Sequence, residues 1–145
     1  MTTSPPLSLH PQLQKDCVVV GRMSLSHLLL MKDANYPWFI LVPDRKNITE
    51  IYQLSPEDQQ RLMRESSALA ASLAKAYAAD KINIAALGNV VPQLHVHHIV
   101  RYLHDPAWPE PVWGKLPVKP YTGEQLVAVI SRLRNVLANG VTYLV

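Results

Sequence analysis

The 145 residues are 48% hydrophobic and 17% charged, carry a net charge of +3, and include one cysteine, five glycines, twelve prolines and six histidines. That length and apolar content support one compact domain with its own core, needing neither metal nor disulfide crosslinks. The longest apolar runs, Trp38 to Val42 and Leu126 to Ile130, reach five residues, against about 20 for a membrane-crossing helix. Lys and Arg never form a run of four, so neither a membrane nor a nucleic acid is expected as partner. The start lacks the basic and apolar regions of a secretory signal and Cys17 stands alone, which points to the cytoplasm. The glycines at 21, 88, 114, 123 and 140 are too far apart for a dinucleotide fingerprint or a P-loop.

In chain order, residues 1–16 hold three prolines and little apolar periodicity and are expected as an extended or partly ordered arm before a single domain over 17–145. Cys17 to Val20 and Leu25 to Met31 read as strands with a turn at Gly21 between them. A third strand, Trp38 to Val42, follows the turn-forming Asp33-Ala34-Asn35-Tyr36-Pro37, so a meander is predicted. Ser55, Pro56, Glu57 and Asp58 then supply an N-cap, a first-turn proline and acidic residues, predicting a helix to about Ala79 with Leu62, Leu69 and Leu73 on its apolar face. Lys81 to Leu87 and Val90 to Tyr102 read as two further strands around Gly88-Asn89. Residues 104–120 hold five prolines and Trp108 and Trp113, predicting a structured loop with both tryptophans packed in it. Thr122 to Gln125 form a capping box for a last helix ending near Asn139-Gly140. The sum is an α+β fold with about five antiparallel strands and two main helices.

Four of the six histidines, His95, His97, His98 and His104, lie within ten residues. Period-two alternation puts Gln93, His95 and His97 on one strand face and turns Leu94, Val96 and His98 toward the core. A neutral imidazole is a competent nucleophile near pH 7, provided a hydrogen bond keeps the proton on its other nitrogen. On this reading an imidazole of the row can attack phosphorus, with His97 stabilising phosphate charge and Gln93 orienting through its amide. His98 and His104 are expected as bystanders, and Cys17 as a buried apolar residue.

The run Pro92-Gln93-Leu94-His95-Val96-His97-His98-Ile99-Val100-Arg101, preceded by Asn83 and Gly88-Asn89-Val90-Val91, resembles the signature strand of the histidine triad (HIT) superfamily of nucleotide hydrolases and transferases. The resemblance spans roughly Cys17 to Arg101. It implies a HIT-like fold, action at the α-phosphate of nucleoside phosphoramidates or dinucleoside polyphosphates, a transient nucleotidyl group on His95, His97 at the phosphate, and a homodimer with joined sheets. It also implies nucleotide or phosphate contacts from Asn83, Asn89 and the Asp33 turn, with no cofactor and no metal. The chain departs from the pattern at Gln93, where the first triad histidine belongs, at His98, where the family has an apolar residue, and at Trp38, where a Pro-Gly-His is common. Two alternatives stay open: a catalytically silent nucleotide-binding module, favoured by Gln93, and a β-rich metal site in which His104 or Asp105 joins His95 and His97.

Overall fold

The computed structural model describes residues 8–137. Its elements run α1 (Pro11–Asp16), β1 (Cys17–Arg22), β2 (Ser26–Met31), β3 (Trp38–Pro43), a short 3-10 turn (Ile51–Gln53), α2 (Pro56–Ala76), β4 (Lys81–Ala85), β5 (Val96–Arg101) and α3 (Gly123–Val136). All strands pair antiparallel in one sheet of order β1-β2-β3-β5-β4. The expected α+β architecture, with five strands and two main helices, is the one observed.

Period-two alternation divides the sheet into two apolar faces. Leu28 and Leu30 of β2, Phe39 and Leu41 of β3 and Val100 of β5 meet Leu69 and Leu73 of α2 and Ile130 and Leu133 of α3. Their in-between neighbours Leu29, Trp38, Ile40 and Ile99 meet Leu13 of α1 and Ala107 and Val112 of the proline-rich segment. The first is the helix face of the sheet and the second its loop face. Helix α2 starts where its sequence signals place it, with Ser55 Oγ accepting from the Asp58 N–H at 3.1 Å. It buries Leu62, Ser66, Leu69 and Leu73, a helical stripe. No helix among the described residues is long and apolar enough to cross a membrane.

Four expectations need correction. Residues 11–16, expected as part of an extended or partly ordered arm, are helical: His10 caps α1 by accepting from the Gln12 N–H at 3.1 Å, and Leu13 is buried against the sheet. Gly21 lies inside β1 at a register shift between Val19 and Gly21. The chain reverses after it, where the Met23 N–H donates to Ser26 O at 2.8 Å; glycine serves a bulge here as readily as a turn. Helix α2 stops at Ala76, short of Ala79, because Ala78 takes a left-handed φ of 48°. The fifth strand begins at Val96, not Val90. Pro92 has no N–H to give a ladder and disfavours regular pairing around it, and the Leu94 N–H bonds Ile48 O at 2.9 Å, outside the sheet. The expected end of the last helix at Asn139-Gly140 lies outside the described residues, as do residues 1–7 of the arm.

Candidate functional site

The loop face carries a cavity of about 290 Å³ lined by Gln12, Leu13 and Asp16 of α1, Met31, Trp38, residues 87–91, His95, His97 and Trp113. Strand β5 supplies its floor. His97 sits in the middle of the sheet, opposite Ile40 of β3 and Ala85 of β4, so two backbone ladders fix its Cα. His95 lies just before the strand and on the same side, its ring 4.8 Å from that of His97 and at 69° to it.

Each ring has an assignable proton. His95 Nδ1 lies 2.7 Å from the Gln93 carbonyl oxygen, which only accepts, so Nδ1 carries a hydrogen and Nε2 is the atom at which the neutral form of the ring presents its lone pair. His97 is the reverse. Trp38 Nε1–H donates to His97 Nδ1 at 2.9 Å, leaving the proton on Nε2. Burial, then the neighbouring His95 and His98, pushes His97 down to about 3, so it works as a neutral donor. The two imidazoles in one cavity thus offer a lone pair on one and an N–H on the other.

Aromatic packing holds this arrangement. The His97 ring lies 5.7 Å from Trp38 and 5.0 Å from Trp113, and the two indoles meet edge-on at 5.6 Å. Trp113 comes from the proline-rich segment, whose anchor is Arg101. That side chain is 1% exposed. It donates to Asp105 through Nε at 2.8 Å and Nη2 at 3.1 Å, to Asn83 Oδ1 at 2.8 Å and to Glu110 O at 2.8 Å. Burial alone would raise the Asp105 carboxyl, but the Arg101 bond and the N–H groups of Tyr102 and Ala107 hold it down at about 2. Trp108 packs over the guanidinium at 5.6 Å and precedes a cis proline.

The structure brings together only part of the expected site. His95, His97 and Asn89 line the cavity, Asn89 following Gly88, whose φ of 78° suits glycine. Gln93, Asn83 and Asp33 are not in its lining. The Asn83 amide oxygen serves Arg101. Asp33 Oδ1 accepts from Asn35 N at 3.0 Å, Asn35 Nδ2 at 2.8 Å and Lys119 N at 3.3 Å, which makes it the tie between a tight turn and the C-terminal loop. The Gln93 amide faces the N-terminal segment: Oε1 accepts from His10 N at 2.8 Å and Nε2 donates to Ser8 O at 3.2 Å. With the strand starting at Val96, the row of three side chains shortens to two.

His98 points to the helix face, as alternation requires. It is fully buried; its Nδ1–H donates to Val96 O at 3.1 Å and its Nε2 accepts from Ser66 Oγ–H at 2.7 Å. His104 stacks on Tyr102, ring centroids 5.2 Å apart. The metal alternative loses its extra ligands: both Asp105 oxygens serve Arg101, and no group of three or more metal-ligating side chains stands together among the described residues. Sequence reasoning missed Gln12, Asp16, Trp38 and Trp113 as lining residues. For Trp38 a signal existed, because a tryptophan entering a buried strand needs an acceptor for its N–H.

The HIT domain model matches residues 12–104. A histidine triad protein from Marinobacter aquaeolei is 51% identical, with a TM-score of 0.90 over 94% of this chain and 99% of its own. One from Bradyrhizobium japonicum is 46% identical, with a TM-score of 0.87 over 90% and 98% of the two chains. Another, from Sinorhizobium meliloti, is 44% identical, with a TM-score of 0.88 over 90% and 97%. No curated protein matches the chain.

Proposed function

This chain belongs to the HIT domain family, and we propose that it hydrolyses or transfers nucleotidyl groups at the α-phosphate of nucleoside phosphoramidates or dinucleoside polyphosphates, through a covalent nucleotidyl-histidine on His95. The observation that carries this reading is the opposed protonation of His95 and His97 across one cavity. The His95 Nε2 lone pair forms the bond to phosphorus while the bond to the leaving group breaks and its electron pair departs with that group. The Nδ1–H stays on the ring and keeps its bond to Gln93 O as positive charge develops. His97 Nε2–H donates to a non-bridging phosphate oxygen, and Asn89, which lines the same cavity, is assigned as a further phosphate contact. The departing group takes a proton from solvent water; water or another acceptor then attacks phosphorus, gives its proton to solvent, and the electron pair of the P–N bond returns to His95 Nε2. Leu87, Val90 and the half-exposed Trp113 ring offer an apolar surface for the base.

In this reading the partner protein is a second copy, joined along the edge strand β4, and the setting is the cytoplasm. The test is to incubate the wild type and His95→Asn with adenosine phosphoramidate and with diadenosine tetraphosphate. AMP release should fall on the order of 10³-fold or more in the variant, and an acid-labile adenylyl-protein should form only in the wild type. Equal release by both rejects His95 as nucleophile. AMP binding without turnover identifies a silent nucleotide-binding module instead.

A further inference from the structure

Gln93 stands where a proton-handling histidine would be expected, yet its amide is turned away from the reacting groups and spans 83 and 85 residues to reach the backbone of His10 and Ser8. What those bonds hold is the start of α1. His10 caps that helix, its carbonyl accepting from the Gln14 N–H at 3.1 Å and its ring from the Gln12 N–H. At the other end of α1, Asp16 O accepts from the Lys32 N–H at 2.9 Å, tying it to the end of β2. Between these two ties Gln12, Leu13 and Asp16 form one wall of the cavity. A helix of six residues has no stability of its own, so its place over the cavity depends on these ties and on buried Leu13.

We propose that Gln93 is a positioning residue whose side chain clamps α1 as a wall of the cavity, so that this position governs how firmly substrate is held and carries no proton. The inference rests on reading the cavity as the nucleotide site. The main chain of the same residue does separate work, since Gln93 O orients His95. That carbonyl is held independently of the amide, by buried Leu94 next to it, by buried Val91 two residues before it and by the Leu94 N–H bond to Ile48 O. Truncating the side chain therefore frees the wall while the nucleophile keeps its tautomer.

The experiment compares the full-length wild type with Gln93→Ala, Gln93→Glu and Gln93→His. It reads amide hydrogen exchange over residues 9–16, the AMP dissociation constant by calorimetry, and KM and kcat for adenosine phosphoramidate. In Gln93→Ala, exchange across α1 should quicken about tenfold or more and KM and the AMP constant should rise about tenfold, with kcat changing by less than about threefold. Gln93→Glu keeps the acceptor for His10 N–H but loses the donor to Ser8 O, and should fall between. Asp16→Asn should alter AMP affinity in the wild type and have little further effect once Gln93 is alanine, because a freed wall no longer meets the ligand. Unchanged exchange in Gln93→Ala overturns the clamp. So does a kcat loss at constant KM that Gln93→His restores, which would mark a proton-handling position. If the wild type neither binds AMP nor turns over the substrate, the nucleotide reading fails, and the exchange rates still decide the clamp.

Discussion

His97 and His98 are neighbours in sequence and opposites in the fold. Both are buried, both are held neutral, and in each the Nδ1 atom is tied by a named partner. On the helix face, Val96 O and Ser66 Oγ occupy both nitrogens of His98, which leaves it nothing to offer a ligand. On the loop face, Trp38 occupies only Nδ1 of His97, and the second nitrogen stays available beside a cavity. Burial and neutrality alone do not distinguish a functional histidine from a structural one; the number of ring nitrogens left unspent does.

Acid should strike both faces at once, and with the largest effect. In the unfolded chain both imidazoles take protons near pH 6.5. In the fold, burial pushes His97 down to about 3 and His98 down to about 4. Between those limits the unfolded state binds more protons, so stability falls as pH drops below 6.5, before most carboxylates titrate. Two such groups amount to roughly 6 kcal/mol by pH 4. Denaturant midpoints at pH 7, 5.5 and 4 measure it, and a flat profile between pH 7 and 5 would contradict the neutral assignment. Asp105 adds its loss lower down: its folded value of about 2 lies under the ordinary 3.8, so its contribution is complete above pH 3.8 and disappears as pH falls through 2.

A blow confined to the loop face comes from Arg101→Ala. It leaves the Asp105 carboxylate, 4% exposed, without its cation, a loss of about 3–5 kcal/mol for a broken buried pair. Because Arg101 also holds Asn83 and Glu110 O, the segment carrying Trp113 should loosen. The near-ultraviolet dichroism of the tryptophans should then weaken, while the helical far-ultraviolet signal of α2 and α3 persists at low denaturant. Equal loss of both signals would mean that the two faces melt as one.

What could be read in advance follows the same division. The helix face is built from local signals: the Ser55 cap, the stripe of α2 and the alternation of β2 and β3 all lie within short windows, and each is found where the sequence puts it. The loop face is built by long reaches. Helix α1 depends on an amide 83 residues away, the late start of β5 on a bond to Ile48, and the loop that delivers Trp113 on a buried guanidinium. No window of sequence contains both partners of the first two, which is why a local reading does not reach the helix at 11–16, the late start of β5 or the turn of the Gln93 amide toward His10. Alternation did anticipate that His95 and His97 share a face and that His98 leaves it.

Exchanging the roles of the two neighbours sharpens the comparison in the assay itself. His97→Phe keeps a flat ring among Trp38 and Trp113 but removes the Nε2–H, and loss of one such donor to a phosphate oxygen should lower kcat about 10²-fold to 10³-fold. It also strands the Trp38 N–H, so a stability control is needed beside the kinetics. His98→Leu fills similar volume on the helix face, and the released Ser66 hydroxyl can turn back to a carbonyl one helical turn earlier. Its kcat should stay within about threefold, and the stability lost below pH 6.5 should shrink by about half because one of the two buried imidazoles is gone. A large kcat loss in His98→Leu with normal stability at pH 7 would show that the helix face reaches into the reaction, and the division of labour along β5 would have to be redrawn.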